Sequence, residues 1–562
     1  MSQRNARGQV RPSSFLALLP TLLALLTAAP PTAAQKHKDE KHGFEIRIPR
    51  DFNVVPINLD EKWVVAKFLY KRALDARKGW ENEAPELRVI IFPKFDPKDF
   101  AKRKLKKGGK LVALQQLQNP YKNYHDFMQQ NFRGSGRGWH VAKESNTKID
   151  ELPATYKRIE VNKILQGEEG VSHIIHAWEI DYGDAIYVVH SQVLADHDAK
   201  FRRKFMNCAK SFRKILRTES VGTDFGPTTP SDEAKAKAKK SGKALSPKEI
   251  FKLRKAQLEK VKAKAIAQLP GHWKHYNKGR FLIVYNGKVD RNFLTKVHKQ
   301  ASKVWDWLEE RFAFIGEQKA VGGIIRICND INEASAYVDT SSKSSYSART
   351  HEIVIWKDRD YGFDQCRSSL NQGICQRWLE DKNPRLWWAL PPWLDFGLVY
   401  YIGQLELKGH KLESNPDEWD MEVLREMLRE HSFKPAKTMF EAEYGKGFGS
   451  QKDSVQCIAM VHFLMTKGAR VKRYKTVIPK YLQILDRRLR ELYAQYDQLF
   501  EDVVDSTVKK GKKAEAERKK WVAEWKKKRD AIFKECLKEC FGNWSERDWK
   551  SFDKNWKKAF KS

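Results

Sequence analysis

The sequence predicts a multidomain α+β protein, and three observations carry that expectation. Between Phe44 and Ile215 short apolar runs are separated by very short polar breaks, the pattern of an antiparallel meander. Between 270 and 500 a few strands are followed by a succession of amphipathic helices. From 501 to 562 lysine and tryptophan crowd a third, helical stretch.

Residues 1–34 read as an export signal. Arg4, Arg7 and Arg11 give a positive start, "FLALLPTLLALL" (Phe15 to Leu26) an apolar core, and Ala34 a small residue at the cleavage point. The apolar core is shorter than the roughly 20 residues a permanent span requires. A periplasmic or extracellular protein is expected.

In the first domain, 36–216, "FEIRIP" and part of "ELRVIIFP" alternate apolar with polar residues and both end at proline. "ATYKRIEVNKIL", "SHIIHAWEID" and "DAIYVVHSQVLA" follow, joined by "QGEEGV" and "YGD", turns too short for parallel crossovers. Phe201, Phe205, Cys208 and Phe212 recur at helical spacing and predict a closing helix with one face on the sheet. His173, His176 and His190 lie on adjacent strands, but no Asp, Glu or Cys stands at a spacing that completes a metal shell, so structural histidines are expected. In "HGFEIRIPRDFNV" and "YVVHSQVLADHDAKFRRKFMNCAKSFR" this stretch resembles PsbP-like exported domains. The resemblance implies a small α/β sandwich.

Residues 217–245, rich in Thr, Ser, Gly, Pro and Lys without apolar periodicity, predict a flexible linker. "SPKE" at Ser246 to Glu249 is a capping box that starts a connecting helix over 246–269, with Leu258, Val261, Ala265 and Leu269 on one face. "GRFLIVYNGK", "GGIIRICND" and "HEIVIWKD" then read as strands, with one amphipathic helix after the first of them. In the basic tail, 501–562, Trp521, Trp525, Trp544, Trp549 and Trp556 predict docking onto the protein itself, with binding to a membrane or anionic polymer as the rival.

The stretch "SLNQGICQRWLEDKNPRLWWALPPWLDFGLVYY", Ser369 to Tyr401, carries the chemistry or its loss. Its order of elements, with "HEIVIW" before it and "PPWLDFG" within it, resembles the peptidase MA-like, or gluzincin, domains over about 270–500. Such a domain needs two imidazoles four apart on one helical face to hold zinc, a glutamate beside the first to take a proton from water, and a distant glutamate to complete the shell. The resemblance puts these roles at Asn371, Cys375, Gln372 and Phe396. An amide is a weak oxygen donor, Gln372 cannot act as a base, one thiolate is one ligand, and Phe396 offers a metal nothing. A register one residue earlier makes Asp395 the third ligand. An inactive, zincin-like domain without catalytic residues, metal or cofactor is therefore expected. The alternative is a zinc peptidase using Cys375 and Asp395.

"HEIVI" at His351 begins like the zinc motif, but position 355 is Ile and the alternation predicts a strand. Trp387, Trp388, Trp393, Tyr400 and Tyr401 are expected to fill the core. A retained groove is the functional rival, with His351, Ile353, Ile355 and Trp393 lining it and an edge strand pairing an extended peptide.

Seven cysteines, sparse and odd in number, exclude a disulfide-framework fold and leave pairing of Cys366 with Cys375, or of Cys536 with Cys540, open. The formal charge of +35 favours anionic partners such as an envelope polymer or membrane surface, and equally serves solubility. No motif for specific nucleic-acid recognition is present. The sequence therefore points to an exported, non-catalytic pseudopeptidase that binds peptide or protein ligands as a scaffold. Its rivals are a zinc-dependent peptidase with unusual ligands and a basic polymer-binding protein.

Overall fold

The computed structural model describes residues 35–216 and 247–560 apart from internal stretches, the longest being 95–120, and along 493–522 it leaves the side chains undescribed. The export signal, the linker 217–245, His351, Trp388 and the side chains of Trp521 and Trp525 lie outside the described residues. The protein is multidomain and α+β, with antiparallel sheets first and a helical C-terminal half.

The N-terminal part begins with β1 (Gln35–Asp39) and β2 (Phe44–Ile48). A seven-stranded antiparallel sheet follows in the order β3-β4-β7-β11-β10-β9-β8. Its strands are β3 (Phe52–Val54), β4 (Val64–Tyr70), β7 (Glu86–Pro93), β8 (Trp139–Ile149), β9 (Leu152–Leu165), β10 (Glu168–Asp181) and β11 (Ala185–Leu194). A two-residue-long pair, β5 (Leu74–Asp75) and β6 (Asn82–Glu83), sits between β4 and β7. Alternation along β7 divides its side chains between the two faces. Leu87, Val89 and Ile91 join Phe201, Phe205 and Cys208 of α2 (Asp198–Lys210), whereas Ile90 and Phe92 join Tyr124, Phe127 and Met128 of α1 (Tyr124–Phe132). The predicted closing helix is α2. A short strand, β12 (Arg213–Lys214), returns to β2.

The predicted connecting helix is α3 (Pro247–Ala267), which lays Ala265 on Leu282, Val284 and Ile324 of a second sheet. That sheet has the order β13-β14-β15-β17-β16. Its members are β13 (Trp273–Lys278), β14 (Phe281–Asn286), β15 (Gly323–Cys328), β16 (Tyr346–Ser347) and β17 (Glu352–Trp356). The β14, β15 and β17 strands run parallel, while the two outer strands run antiparallel to their neighbours. On its other face lies α4 (Arg291–Arg311), with Val297, Ala301, Val304 and Trp305 in the main core.

Helices complete the molecule: α5 (Gly362–Lys382), α6 (Pro392–Gly403), α7 (Glu418–Glu430), α8 (Ala436–Glu441), α9 (Gln451–Met465), α10 (Val477–Val508), α11 (Lys512–Phe541) and α12 (Glu546–Ala559). A hairpin of β18 (Leu405–Lys408) and β19 (Lys411–Ser414) follows α6. Capping boxes at Ser450 and Ser545 start α9 and α12. Trp549, Phe552 and Trp556 of α12 are buried in the main core, their rings near Phe440, Phe433 and Tyr474, so this part of the basic tail docks onto the protein. Among the described residues no helix is long and apolar enough to cross a membrane.

The two sheets meet through a small shared core. Val55 and Leu69 pack with Trp273, Tyr337 and Val354, the Tyr337 hydroxyl donates to the Pro56 carbonyl at 3.0 Å, and Lys67 donates to the Ala336 carbonyl at 3.0 Å. Beneath this contact Arg326 and Glu352 form a fully buried ion pair at 2.6 Å, with the guanidinium 4.3 Å from the Tyr337 ring centre.

Candidate functional site

The α5 helix is buried on nearly every side from Leu370 to Lys382, which makes it the central helix of the C-terminal half. Its neighbour α6 starts at Pro391 and Pro392, where a missing N–H costs nothing. The two helices cross closely because glycine allows it. A Cβ on Gly403 would come within 2.8 Å of Ser368 Oγ and 2.9 Å of Gln372 Nε2, and one on Gly397 within 2.4 Å of Val461 on α9.

At the position where the zinc-peptidase pattern requires its first histidine, Asn371 is wholly buried. Its Nδ2 donates to the carbonyls of Ile402, Gly403 and Leu405 at 3.2, 3.2 and 2.7 Å, and its Oδ1 accepts from Gln300 of α4 at 3.1 Å. Carbonyls at the end of a helix lack intrahelical partners, so Asn371 caps α6 from the side. Gln372 donates to Ser368 Oγ at 3.1 Å, back along its own helix. Cys375 is buried, and desolvation, followed by the nearby charge of Asp395, holds its thiol well above the ordinary range. Phe396 turns elsewhere, with its ring 5.1 Å from Phe448 and stacked on Tyr400. The acid whose charge reaches Cys375 is thus Asp395, as in the earlier of the two registers. Among the described residues no group of three or more His, Cys, Asp or Glu side chains is placed to hold a metal ion.

The expected groove along "HEIVIW" is not formed. Ile353 and Ile355 are wholly buried in the main core, and β17 has β15 on one side and β16 on the other, where Tyr346 pairs with Ile353. Trp393 is also core, with its ring 4.6 Å from Phe440 and 5.2 Å from Tyr481. With their side chains in the core, Ile353 and Ile355 cannot line a groove, and β16 pairs with β17 at Glu352 and Ile353. All seven cysteines are buried and unbridged, which closes the pairing of Cys366 with Cys375 and of Cys536 with Cys540.

The three strand histidines have separate partners. His173 lies 2.6 Å from Glu83, His190 2.9 Å from the Tyr124 hydroxyl, and His176 is held between Asp198 at 2.7 Å and Tyr156 at 2.8 Å. Burial pushes His190 down to about 3, so it is neutral in the fold.

A second acid–base cluster closes the far end of α5. Asp381 accepts from Arg377 at 2.6 Å, Arg254 of α3 at 2.9 Å and the Val321 amide at 2.7 Å. Beside it Glu380, which accepts from Tyr346, is pushed up to about 8 by burial and by the Asp381 charge. Arg377 stands 3.2 Å from Glu380 but is nearer to Asp381, and desolvation prevails.

A narrow groove of ≈ 10 Å³, room for about one water, lies between α7, α9 and Phe560, lined by Gln404, Asp420, Leu424, Ile458 and His462 among others. Gln404 is 6% exposed, yet its Oε1 has no hydrogen-bond partner among the described residues. Burial, then Lys467, pushes His462 down to about 4 and leaves it uncharged. Trp419, next to Asp420 on α7, is 51% exposed. Sequence reasoning missed this groove because its lining comes from four separated segments. The available signal was the tryptophan that opens the amphipathic "EWDMEVLREMLRE".

No protein-family model matches the chain, and no curated protein matches it. Solved structures similar to part of it include the solution structure of cyanobacterial PsbP (CyanoP) from Synechocystis sp. PCC 6803, at 15% identity and a TM-score of 0.22, covering 34% of this chain and 99% of that one. LpqN, involved in cell envelope biogenesis of Mycobacterium tuberculosis, is 11% identical with a TM-score of 0.19, covering 32% and 90%. A Bacteroides thetaiotaomicron protein is 12% identical with a TM-score of 0.18, covering 50% and 81%. Likeness of this degree is partial and carries no function over.

Proposed function

We propose that this chain is an exported, non-catalytic binding or scaffold protein of the cell envelope, built on an inactive peptidase-like domain. The observation that carries the reading is the saturation of Asn371. Every polar atom of its side chain is engaged in packing α4, α5 and α6 together, so the position is a structural joint. Cys375, buried as a neutral thiol, and Phe396, turned to Phe448, supply no ligand set around it. A peptide or protein is the class of ligand we assign to this chain. The basic charge favours an anionic envelope surface as the setting.

Two measurements on the full mature chain test the reading. Mass spectrometry after dialysis against zinc should find no stoichiometric metal, and Cys375→Ala should change nothing. One zinc per chain that disappears in Cys375→Ala would overturn the non-catalytic half. A fluorescent apolar peptide panel should include members that bind the folded chain saturably, and no saturable binding by any member would remove the peptide ligand from the proposal.

A further inference from the structure

We propose that two copies of this chain join edge to edge through β8, with their strands antiparallel about a two-fold axis at Asn146. Among the described residues the β8 strand ends the seven-stranded sheet, is paired with β9 along its length, and is exposed from His140 to Lys148 on both faces. The opposite edge, β3, has only three residues.

The hairpin fixes which groups face outward. The β8–β9 turn is the two residues Asp150 and Glu151, at φ 53° and 61°, closing on Ile149 opposite Leu152. A two-residue turn with both φ positive closes on a hydrogen-bonded pair. Ile149, Thr147, Ser145 and Lys143 therefore direct their backbone groups to β9, and Lys148, Asn146 and Glu144 direct theirs to the open edge. The bulge between Val141 and Lys143 limits the regular ladder to 143–149.

A symmetric partner must set outward residues against outward residues. Centred on Glu144, the register opposes two carboxylates, and centred on Lys148 it opposes two ammonium groups. Centred on Ser145 or Thr147 it opposes no charges of opposite sign. Centred on Asn146 it sets Glu144 against Lys148 twice, once on each side of the axis. This self-complementary charge pattern selects a second copy over a foreign strand, because the same two residues satisfy each other only when both strands are β8. Within its own chain Glu144 has Lys157 at 3.9 Å, an exposed pair in which Lys157 is nearer to Glu179 at 2.7 Å.

Sedimentation velocity of the full chain over a concentration series tests this. The native protein should show a concentration-dependent dimer. Glu144→Lys and Lys148→Glu should each weaken it roughly tenfold or more, since each opposes like charges twice. The double charge swap should restore the dimer, and Asn146→Pro, which removes an outward N–H, should abolish it. Circular dichroism of each variant identifies any that fails to fold, and the charge swap, confined to exposed side chains, keeps the test open if the proline variant does not fold. A monomer at every concentration, or a dimer indifferent to the charge variants, overturns the proposal.

Discussion

Asn371 and Gln300 share one acceptor: both side-chain amides donate to the Leu405 carbonyl, at 2.7 and 2.9 Å. Through it three helices and the β18–β19 hairpin are tied at one buried point. Replacing Asn371 by His should therefore destabilise the fold by about 2–4 kcal/mol and recruit no metal, because an imidazole has one N–H to offer where three carbonyls wait. Denaturant unfolding together with metal analysis of the variant checks both halves.

Thiol chemistry gives a second check. Burial pushes Cys366, Cys536 and Cys540 up to about 12 and the other four thiols upward as well. Ellman's reagent at pH 8 should find no fast-reacting thiol in the native chain and all seven after denaturation. Rapid native labelling at Cys375 would show that the site is open.

Glu380 predicts a pH dependence. Its folded pKa of about 8 lies above the unfolded value of 4.5, so between these limits the native state holds a proton that the unfolded state has released. Stability from this group is full below about pH 4.5 and falls as pH rises towards 8. Glu380→Gln should flatten that slope and gain most above pH 8. Unfolding midpoints at pH 5 and pH 9 measure it, and identical slopes in the two proteins would refute the assignment.

The Arg326–Glu352 pair is wholly buried. Glu352→Leu alone leaves an uncompensated guanidinium and should cost about 3–5 kcal/mol, while adding Arg326→Met should recover most of the loss. A double-mutant cycle by chemical denaturation gives the coupling directly.

The elements with strong periodicity were legible in the sequence. Phe201, Phe205, Cys208 and Phe212 announced α2, and the apolar faces after 270 announced the helical half. The strand β8 was missed because "WHVAKESNTKI" is exposed on both faces, and a strand with no buried side carries no alternation to read. The flanking strand β16 was missed for a related reason. Its two residues, Tyr346 and Ser347, sit in a polar run, so "HEIVIW" read as an open edge although Glu352 and Ile353 are paired with β16. Where a zinc-peptidase pattern would fall could be assigned by spacing, but the use made of Asn371 could not. Which carbonyls an amide meets depends on how α5 and α6 cross, and that follows from Gly403 together with partners far along the chain.

The joint at Asn371 also works as a ratchet. A zinc site returns its binding energy only when the whole ligand set is in place. Substituting Asn371 by His would break its clamp on three carbonyls, and substituting Phe396 would empty its contact with Phe448. Either change alone leaves a protein less stable than the present sequence. A walk of single mutations that begins at either position runs uphill from its first step, which makes the present arrangement a trap in sequence space as much as a feature of the fold.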